Sequence, residues 1–353
     1  MRKLIPLVLI SILLLSITAC NKTEKEVINN FSQTISNKPM SWGKDHVIYI
    51  FADQEMWQEV EVDVKANLQR VFETTNEETL FDIKLADVNK IDDYYKFRNL
   101  LFLADITDNE PVAKYVTEQL QGDLIDQANK DGYAFLYKEN LWARDQVVCF
   151  LLANSSEQMK SLHINLKDVL FDKYSDALKN RISNRISSKV TKDEKIFSTL
   201  PYIIDIPKQF TVFRDEKEQN ILSFLYRHYK QQGDKPDKYV TVYYEKSDKN
   251  PINEQWLIKT RGKIGWDIYD NDEIKADQVK IEPFAWKNRK GTKLHGRWSN
   301  YKHYVGGAFQ SFAFYDEKTK TAYLIDNSIF FPAGDKLYYL MELEAISKSI
   351  QIK

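Results

Sequence analysis

Hydrophobic and polar positions in the first half of the chain follow two spacings, which predict strands interleaved with helices. An apolar run at 46–51 is typical of a short strand, and apolar residues three and four positions apart from Trp57 to Phe72 predict a helix. Further strands are predicted at 81–85, 100–104, 133–137 and 146–153, and further helices at 91–97, 111–129 and 155–186. This half is therefore expected to be α/β or α+β.

The second half is richer in strand patterns. Strands are predicted at 202–213, 221–229, 239–245, 294–298, 308–315 and 321–326, and helices at 256–264, capped by Asn253, and at 336–350. The polar, basic segment 187–198 separates the halves. The predicted fold class is α+β, with two α/β-type domains at 41–190 and 196–353. The second is β-rich with a C-terminal helix, and its order of elements resembles the α/β/α sandwich of PsbP-type proteins.

The N-terminus predicts export and lipidation. Arg2 and Lys3 precede an apolar run of about fourteen residues, which is the length of a secretory signal and short of the ~20 residues that a membrane span needs. The run ends in Ile-Thr-Ala-Cys at 17–20, which resembles the lipobox of bacterial lipoproteins. In that family the signal is removed before the cysteine, and the cysteine is acylated. We therefore expect a signal peptide at 1–19 and lipid attachment, including palmitate, at Cys20.

The lipobox resemblance predicts where the protein is located. Residues 20–40 are polar and would form a flexible, lipidated linker to the membrane. Asn21 stands where an aspartate would favour inner-membrane retention, so the outer membrane is expected, with its periplasmic face favoured over the cell surface. Cys149 lies in a continuous apolar run and is expected to be a buried strand residue.

Composition excludes several classes of function. With 50 basic and 51 acidic residues, the chain lacks the basic surplus that nucleic-acid binding requires. Two cysteines cannot form a cysteine-rich zinc site, and the 11 glycines include no nucleotide-binding loop. The motifs of serine hydrolases and zinc proteases are also missing, so no cofactor, metal or catalytic residue is predicted. Glu77 and Glu78 are adjacent acids, which point apart and are expected to be solvated.

The densest group of chemically active residues lies at 293–307. His295 and Arg297 would share one face of a strand, with Trp298 on the other, and His303 follows five residues later. Three alternatives remain open here. The segment could bind an anion or a sugar through Arg297 and Trp298, it could hold zinc through the two histidines, or it could be a solvated strand with one aromatic contact.

Three segments resemble the uncharacterised Bacteroidota lipoprotein family called domain of unknown function 4837. They are Phe97-Arg-Asn-Leu-Leu-Phe-Leu-Ala-Asp-Ile106, Leu141-Trp-Ala-Arg-Asp-Gln-Val-Val148, and His295-Gly-Arg-Trp298 with Val305-Gly-Gly-Ala-Phe309. Ile206-Pro207 and Arg261 fit as well, so the resemblance runs from about residue 40 to the end. The resemblance implies that the protein is located in the cell envelope and that two domains occur together in one chain. It supplies no catalytic residue. Arg98 and Trp142 join the candidate ligand- or partner-binding residues, with Gln146 as a strand-end neighbour.

The sequence therefore favours an outer-membrane lipoprotein that binds a ligand or partner, or serves envelope biogenesis, without catalysis. Its expected partners are the membrane, through the lipid, and an envelope protein or glycan. The alternative is a periplasmic hydrolase or sugar-handling enzyme that uses the His295/Arg297 region.

Lipidation can be tested at Cys20. We expect Cys20→Ala to abolish labelling with palmitate and to release the protein from membranes, because the acyl chains attach to that sulfur. Cys149→Ala is the matched control and should stay labelled and membrane-bound. Palmitate labelling of Cys20→Ala would show that the lipid is attached elsewhere.

Overall fold

A computed structural model describes residues 37–120, 123–190, 195–228, 235–286 and 288–353. Cys20, the signal peptide and most of the predicted linker lie outside the described residues. The chain forms two compact units, one with residues up to Leu68 and Phe81–Tyr174, the other with Gln69–Leu80 and Ser175–Lys353. The predicted domain boundary at 187–198 differs from this division, because part of the long helix and a segment near residue 75 belong to the second unit.

The first unit is built on a five-stranded sheet in the order β4-β1-β5-β7-β6, in which only β6 is antiparallel to its neighbour. Its strands are β1 (Val47–Ala52), β4 (Asp82–Leu85), β5 (Asn99–Asp105), β6 (Tyr133–Glu139) and β7 (Val147–Ala153). Its helices are α1 (Gln54–Leu68), α2 (Ile91–Tyr94), α3 (Pro111–Gln119), α4 (Asp123–Asp131) and the start of α5 (Ser156–Ser187).

The core of the first unit is an aromatic row across the parallel strands. Phe51, Phe102 and Phe150 are register partners on β1, β5 and β7, and their rings stack at centroid distances of 4.6 and 4.9 Å. All three are fully buried. Cys149 beside them is buried as predicted, and burial raises the pKa of its thiol to about 12. This unit therefore has the continuous apolar strands of a parallel sheet covered by helices.

The second unit is built on a seven-stranded antiparallel sheet in the order β12-β13-β14-β15-β11-β10-β9. Its strands are β9 (Thr211–Glu216), β10 (Ile221–Tyr226), β11 (Asp237–Lys246), β12 (Val279–Trp286), β13 (Arg289–Asn300), β14 (Val305–Asp316) and β15 (Thr321–Phe330), and β8 (Tyr202–Ile203) pairs separately with β16 (Gln351–Ile352). Its own helices are α6 (Glu254–Asp267) and α7 (Leu337–Lys348). Together these elements confirm the mixed α/β fold class.

The two helices cover opposite faces of this sheet. Arg261 on α6 reaches Asp326 on β15, whereas Ser347 on α7 hydrogen-bonds to Asn327, the next residue of the same strand. Because successive side chains of a strand point to opposite faces, the sheet lies between the helices. The second unit is thus an α/β/α sandwich, and α6 begins at the predicted Asn253 cap, whose side chain accepts from the Trp256 amide at 2.8 Å.

A hairpin from the first half of the chain belongs to the second unit. Strands β2 (Val71–Glu73) and β3 (Glu77–Thr79) pair with each other directly after α1, where the apolar spacing predicts that the helix continues to Phe72. Glu78 is buried, contrary to the expectation of a solvated acid. Its Oε2 accepts from the backbone amides of Lys336 and Leu337 at 2.8 and 2.7 Å. Glu78 therefore supplies the cap at the N-terminus of α7.

The ion pair between α6 and the sheet is fully enclosed. Arg261 Nε lies 2.9 Å from Asp326 Oδ1, and both side chains have no exposed surface. Ser311 Oγ donates to the same oxygen at 2.5 Å, and the guanidinium lies 4.6 Å from the ring centroid of Phe309. A buried charge that loses its partner is costly, so each member of this pair requires the other.

Breaking this pair should destabilise the second unit strongly. We expect Arg261→Met to lower the free energy of unfolding by about 3–5 kcal/mol, because it leaves the Asp326 carboxyl buried without its cation. The double variant Arg261→Met/Asp326→Leu should recover part of the loss. Urea unfolding measures both. Lys179→Met, which removes an exposed partner of Asp176, is the control and should change little. A loss in Arg261→Met no larger than that in the control would contradict this role.

Candidate functional site

A cleft of about 340 Å³ opens at one end of the antiparallel sheet, on the face covered by α6. Its walls come from the ends of several strands and from the loop after α6. The lining residues are Phe213, Arg227, Lys235, Asp237, Tyr239, Tyr269, Asp270, Asp272, Trp298, Asn300, His303, Val305, Phe330 and Pro332. Aromatic rings and charged or amide groups thus meet in one concavity, which is the usual composition of a small-molecule site.

Trp298 forms part of the aromatic wall, and a glycine makes room for it. It lies on β13 opposite Gly307 of β14. A Cβ atom at Gly307 would come within 2.7 Å of the indole and 2.0 Å of the Ile329 carbonyl oxygen. Gly307 is therefore needed for close packing between strands. The Trp298 side chain is 5% exposed, and its Nε1 has no hydrogen-bond partner among the described residues.

Asp272 places a buried carboxyl group at the cleft. It follows a tight turn in which Asp270 and Asn271 have positive φ, a conformation that these residue types tolerate. Its amide donates to the Gly265 carbonyl at 2.9 Å, and Asn300 Nδ2 donates to its Oδ1 at 2.9 Å. Burial raises the pKa of Asp272 to about 6, against the lowering effects of Asn300 and of nearby Arg261. This carboxyl therefore changes protonation near neutral pH.

The remaining charged groups of the cleft are largely paired. His303 Nε2 lies 2.7 Å from Asp270 Oδ2, and Lys302 Nζ lies 2.7 Å from the other oxygen, so the pKa of Asp270 is lowered first by the bond to His303. Arg227 Nε donates to Asp237 Oδ2 at 2.8 Å. Burial raises the pKa of Tyr239 to about 12, so its hydroxyl stays protonated. The lining is polar without a large surplus of either sign.

The structure places only some of the candidate binding residues of segment 293–307 in the cleft. Trp298 and His303 line the cleft, whereas His295 and Arg297 do not. They lie on the other face of β13, as the alternation of the strand predicts. His295 Nε2 is 3.6 Å from Glu282 Oε1, and Arg297 holds the β2–β3 hairpin by donating to the Thr74 carbonyl at 2.9 Å and to Glu73 at 3.0 Å. Arg297 is thus occupied by contacts within its own unit.

The first-unit candidates also make structural contacts. Arg98 Nη1 donates to the Gly43 carbonyl at 2.9 Å and lies 2.5 Å from Asp45 Oδ1. The Trp142 ring packs edge-on against Phe102. Gln146 is buried and donates to the carbonyl oxygens of Tyr95 and Phe97 at 2.6 and 2.8 Å. These side chains connect loops to the parallel sheet.

A second hollow, of about 730 Å³, lies in the first unit. Its lining includes Trp42, Tyr94 and Phe97 together with Asp92 and Asp93. It is broad and open, and the lining has no enclosed carboxyl comparable to Asp272. Within the described part of the chain, no group of three or more His, Cys, Asp or Glu residues is placed to hold a metal ion. The second-unit cleft is therefore the stronger candidate for a binding site.

Segment 293–307, which contributes four of the residues that line the cleft, lies within a region that matches a known family. Residues 189–349 match the family described as Domain of unknown function (DUF4837). This DUF4837 region contains Arg261 and the third of the segments that resemble the family, at 295–298 and 305–309. The first two segments lie in residues 41–187, which match a different family, Domain of unknown function (DUF8532). Residues 189–349 therefore match the family that the sequence resembles, and this match begins at residue 189 and not near residue 40.

Solved structures similar to the chain include three proteins from distant organisms. Cyanobacterial PsbP from Synechocystis sp. PCC 6803 is 10% identical with a TM-score of 0.30, over 43% of this chain and 87% of that one. The Ran-binding protein Mog1p of Saccharomyces cerevisiae is 10% identical with a TM-score of 0.29, over 43% and 90%. LpqN of Mycobacterium tuberculosis is 12% identical with a TM-score of 0.28, over 43% and 83%. No curated protein matches the chain.

No helix in the described part of the chain has the length and apolarity to cross a membrane.

The raised pKa of Asp272 predicts a pH-dependent stability. The folded state favours the protonated carboxyl, so its contribution is complete below the ordinary pKa and is lost as the pH rises through about 6. Relative to Asp272→Asn, the wild type should lose on the order of 2 kcal/mol of unfolding free energy between about pH 4.5 and about pH 7.5. Urea unfolding at both pH values measures this.

Asp248→Asn, at an exposed position of the same unit, is the control for this measurement. Parallel pH dependences for the wild type and Asp272→Asn would show that Asp272 does not titrate in this way.

Proposed function

We propose that this protein is an envelope lipoprotein, attached to the outer membrane through Cys20, whose second unit binds a small organic ligand without catalysis. The observation that carries the binding role is the cleft, in which a buried carboxyl with an unpaired oxygen and aromatic walls converge. Buried polar groups are ordinarily paired within the protein, so groups left unpaired at a concavity favour an external partner. The lipobox resemblance supports the attachment.

The binding role also fits the way the cleft is built. Its rings continue the core beneath α6, since Trp298, Tyr269 and Phe330 belong to the same apolar cluster as Leu257 and Ile264 of that helix. A wall fixed by core packing keeps its shape without a ligand, which lowers the entropic cost of binding. A periplasmic location would expose such a site to envelope metabolites and glycans.

The alternative is a hydrolase or sugar-handling enzyme. His295 and Arg297, which the sequence put forward for this role, lie outside the cleft. The observation that favours catalysis is Asp272, because a pKa of about 6 suits a general acid. Incubating a retained compound with the wild type and with Asp272→Asn separates the two roles, since an enzyme would convert the compound it binds and Asp272→Asn would not.

Filling the cleft should abolish ligand binding. We expect Val305→Trp to lose a compound that the wild type retains, because Val305 lines the cleft and an indole there would occupy its volume. The mature protein in detergent is incubated with an extract of envelope small molecules, washed, and examined by mass spectrometry.

Ile281→Trp is the matched control, because it adds the same ring at an exposed strand position outside the lining. It should retain the compound, and thermal unfolding checks that both variants are folded. If the wild type and Val305→Trp retain the same compounds, the cleft is not the binding site.

A further inference from the structure

Several charges around the cleft are paired within the protein, and Lys235 and Asp272 line it as well. Arg227 is paired with Asp237, and Asp270 is paired with both Lys302 and His303. An ionic ligand would have to compete with these pairs, whose members already satisfy one another. A neutral polar ligand faces no such competition.

One polar group in the lining has an oxygen that lacks a donor. Of the two oxygens of Asp272, only Oδ1 accepts a hydrogen bond from the described residues, so Oδ2 is left as an acceptor. Asn300 is already used, because its Nδ2 donates to the Asp270 carbonyl and to Asp272 Oδ1, and its Oδ1 accepts from the His303 amide. A hydroxyl group can donate to the remaining oxygen, so a hydroxylated ligand can satisfy it.

The walls suit the apolar faces of sugar rings. Trp298 and Phe330 have ring centroids 6.3 Å apart, and Phe213 and Tyr239 form a second pair at 5.4 Å. A pyranose ring presents C–H groups on its faces and hydroxyls around its edge. Stacking on aromatic rings with hydrogen bonds at the edge uses both features.

An exposed tyrosine marks the mouth of the cleft. Tyr304 is 91% exposed, and its chain neighbours His303 and Val305 both line the cleft. Its φ of 54° lies in the left-handed region, which is rare for a bulky residue. Solvent exposure of a large ring in a disfavoured backbone conformation points to a role outside folding.

We propose that the cleft binds a carbohydrate of two or more sugar units, with one unit against Trp298 inside the cleft and the next against Tyr304 at its mouth. This inference rests on the proposed function and adds the chemical class of the ligand. Residues 301–304 then act as the part of the site that distinguishes a chain of sugars from a single one.

The test uses a bacterial glycan array. The mature wild-type protein in detergent should retain a set of glycans, and Val305→Trp should retain none of them. For a retained glycan and the monosaccharide at its bound end, affinities are then measured by calorimetry. Tyr304→Asn keeps a residue that adopts positive φ and removes the ring. It should weaken binding of the glycan roughly three- to tenfold and leave the monosaccharide unchanged.

One further variant sharpens the test. Tyr133→Ala, which removes an exposed ring from the first unit, is the control for Tyr304→Asn and should change neither affinity.

The outcomes separate this inference from the proposed function. An array without bound glycans, combined with a compound from the envelope extract that Val305→Trp loses, would overturn the carbohydrate class and leave the cleft as the site. Equal glycan binding by Val305→Trp would place the carbohydrate elsewhere and overturn the inference. Equal weakening of glycan and monosaccharide by Tyr304→Asn would overturn the role of Tyr304.

Discussion

The second unit depends on one buried ion pair between a helix and a sheet. Arg261 and Asp326 are both inaccessible to water, so neither charge is hydrated and each is stabilised only by its surroundings. The Tyr269 ring centroid lies 5.4 Å from the Arg261 guanidinium. The Tyr269 hydroxyl pairs with Thr241 Oγ1, which pairs with Ser223 Oγ, both at 2.6 Å. This polar chain crosses the sheet beneath α6 and fixes the start of the loop that carries Asp270 and Asp272. The geometry of the cleft therefore follows from a polar interaction as much as from apolar packing.

The cleft combines two properties that are usually opposed. Its walls belong to the apolar core, yet a carboxyl and an indole N–H are left incompletely paired within it. In an ordinary core such groups reduce stability, and a fold retains them when the surrounding contacts compensate for their cost. Here Asn300 donates a hydrogen bond to one carboxyl oxygen of Asp272, and Gly307 allows Trp298 to pack closely. The second oxygen of Asp272 stays available to whatever enters the cleft, whereas the Trp298 N–H is enclosed.

Local patterns in the sequence predicted most of the elements but not their association. Periodicity located the long helix α5, the strands of both large sheets except β12, and the Asn253 cap, because these features depend on neighbours within a few positions. The prediction from periodicity was wrong at Val71 and Phe72. Their spacing continues the apolar face of α1, but these residues pair with β3 and form a strand. Glu78 could not be predicted as buried, because the amides it binds lie at Lys336 and Leu337, far along the chain.

The candidate site shows the same limit. Trp298 and His303 were recognisable because aromatic, basic and glycine residues are dense in 293–307. The alternation of β13 would also have placed Asn300 beside Trp298. Asp272 gave no signal, since an acid after a helix is commonplace, and its raised pKa arises from burial in the folded unit. Arg297 looked like a ligand-binding residue, and its partners in the hairpin are more than two hundred positions away.

The hairpin at 69–80 has a consequence for how the chain is synthesised. It leaves the ribosome early, whereas β12, β13 and α7, which hold it through Glu73, Thr74 and Glu78, are made much later. Until Leu337 is translated, the Glu78 carboxylate has no amides to bind and must remain hydrated. The second unit therefore cannot reach its final packing while the chain is growing. Its folding is coupled to completion of the polypeptide, so this unit stays incomplete until its last helix is available.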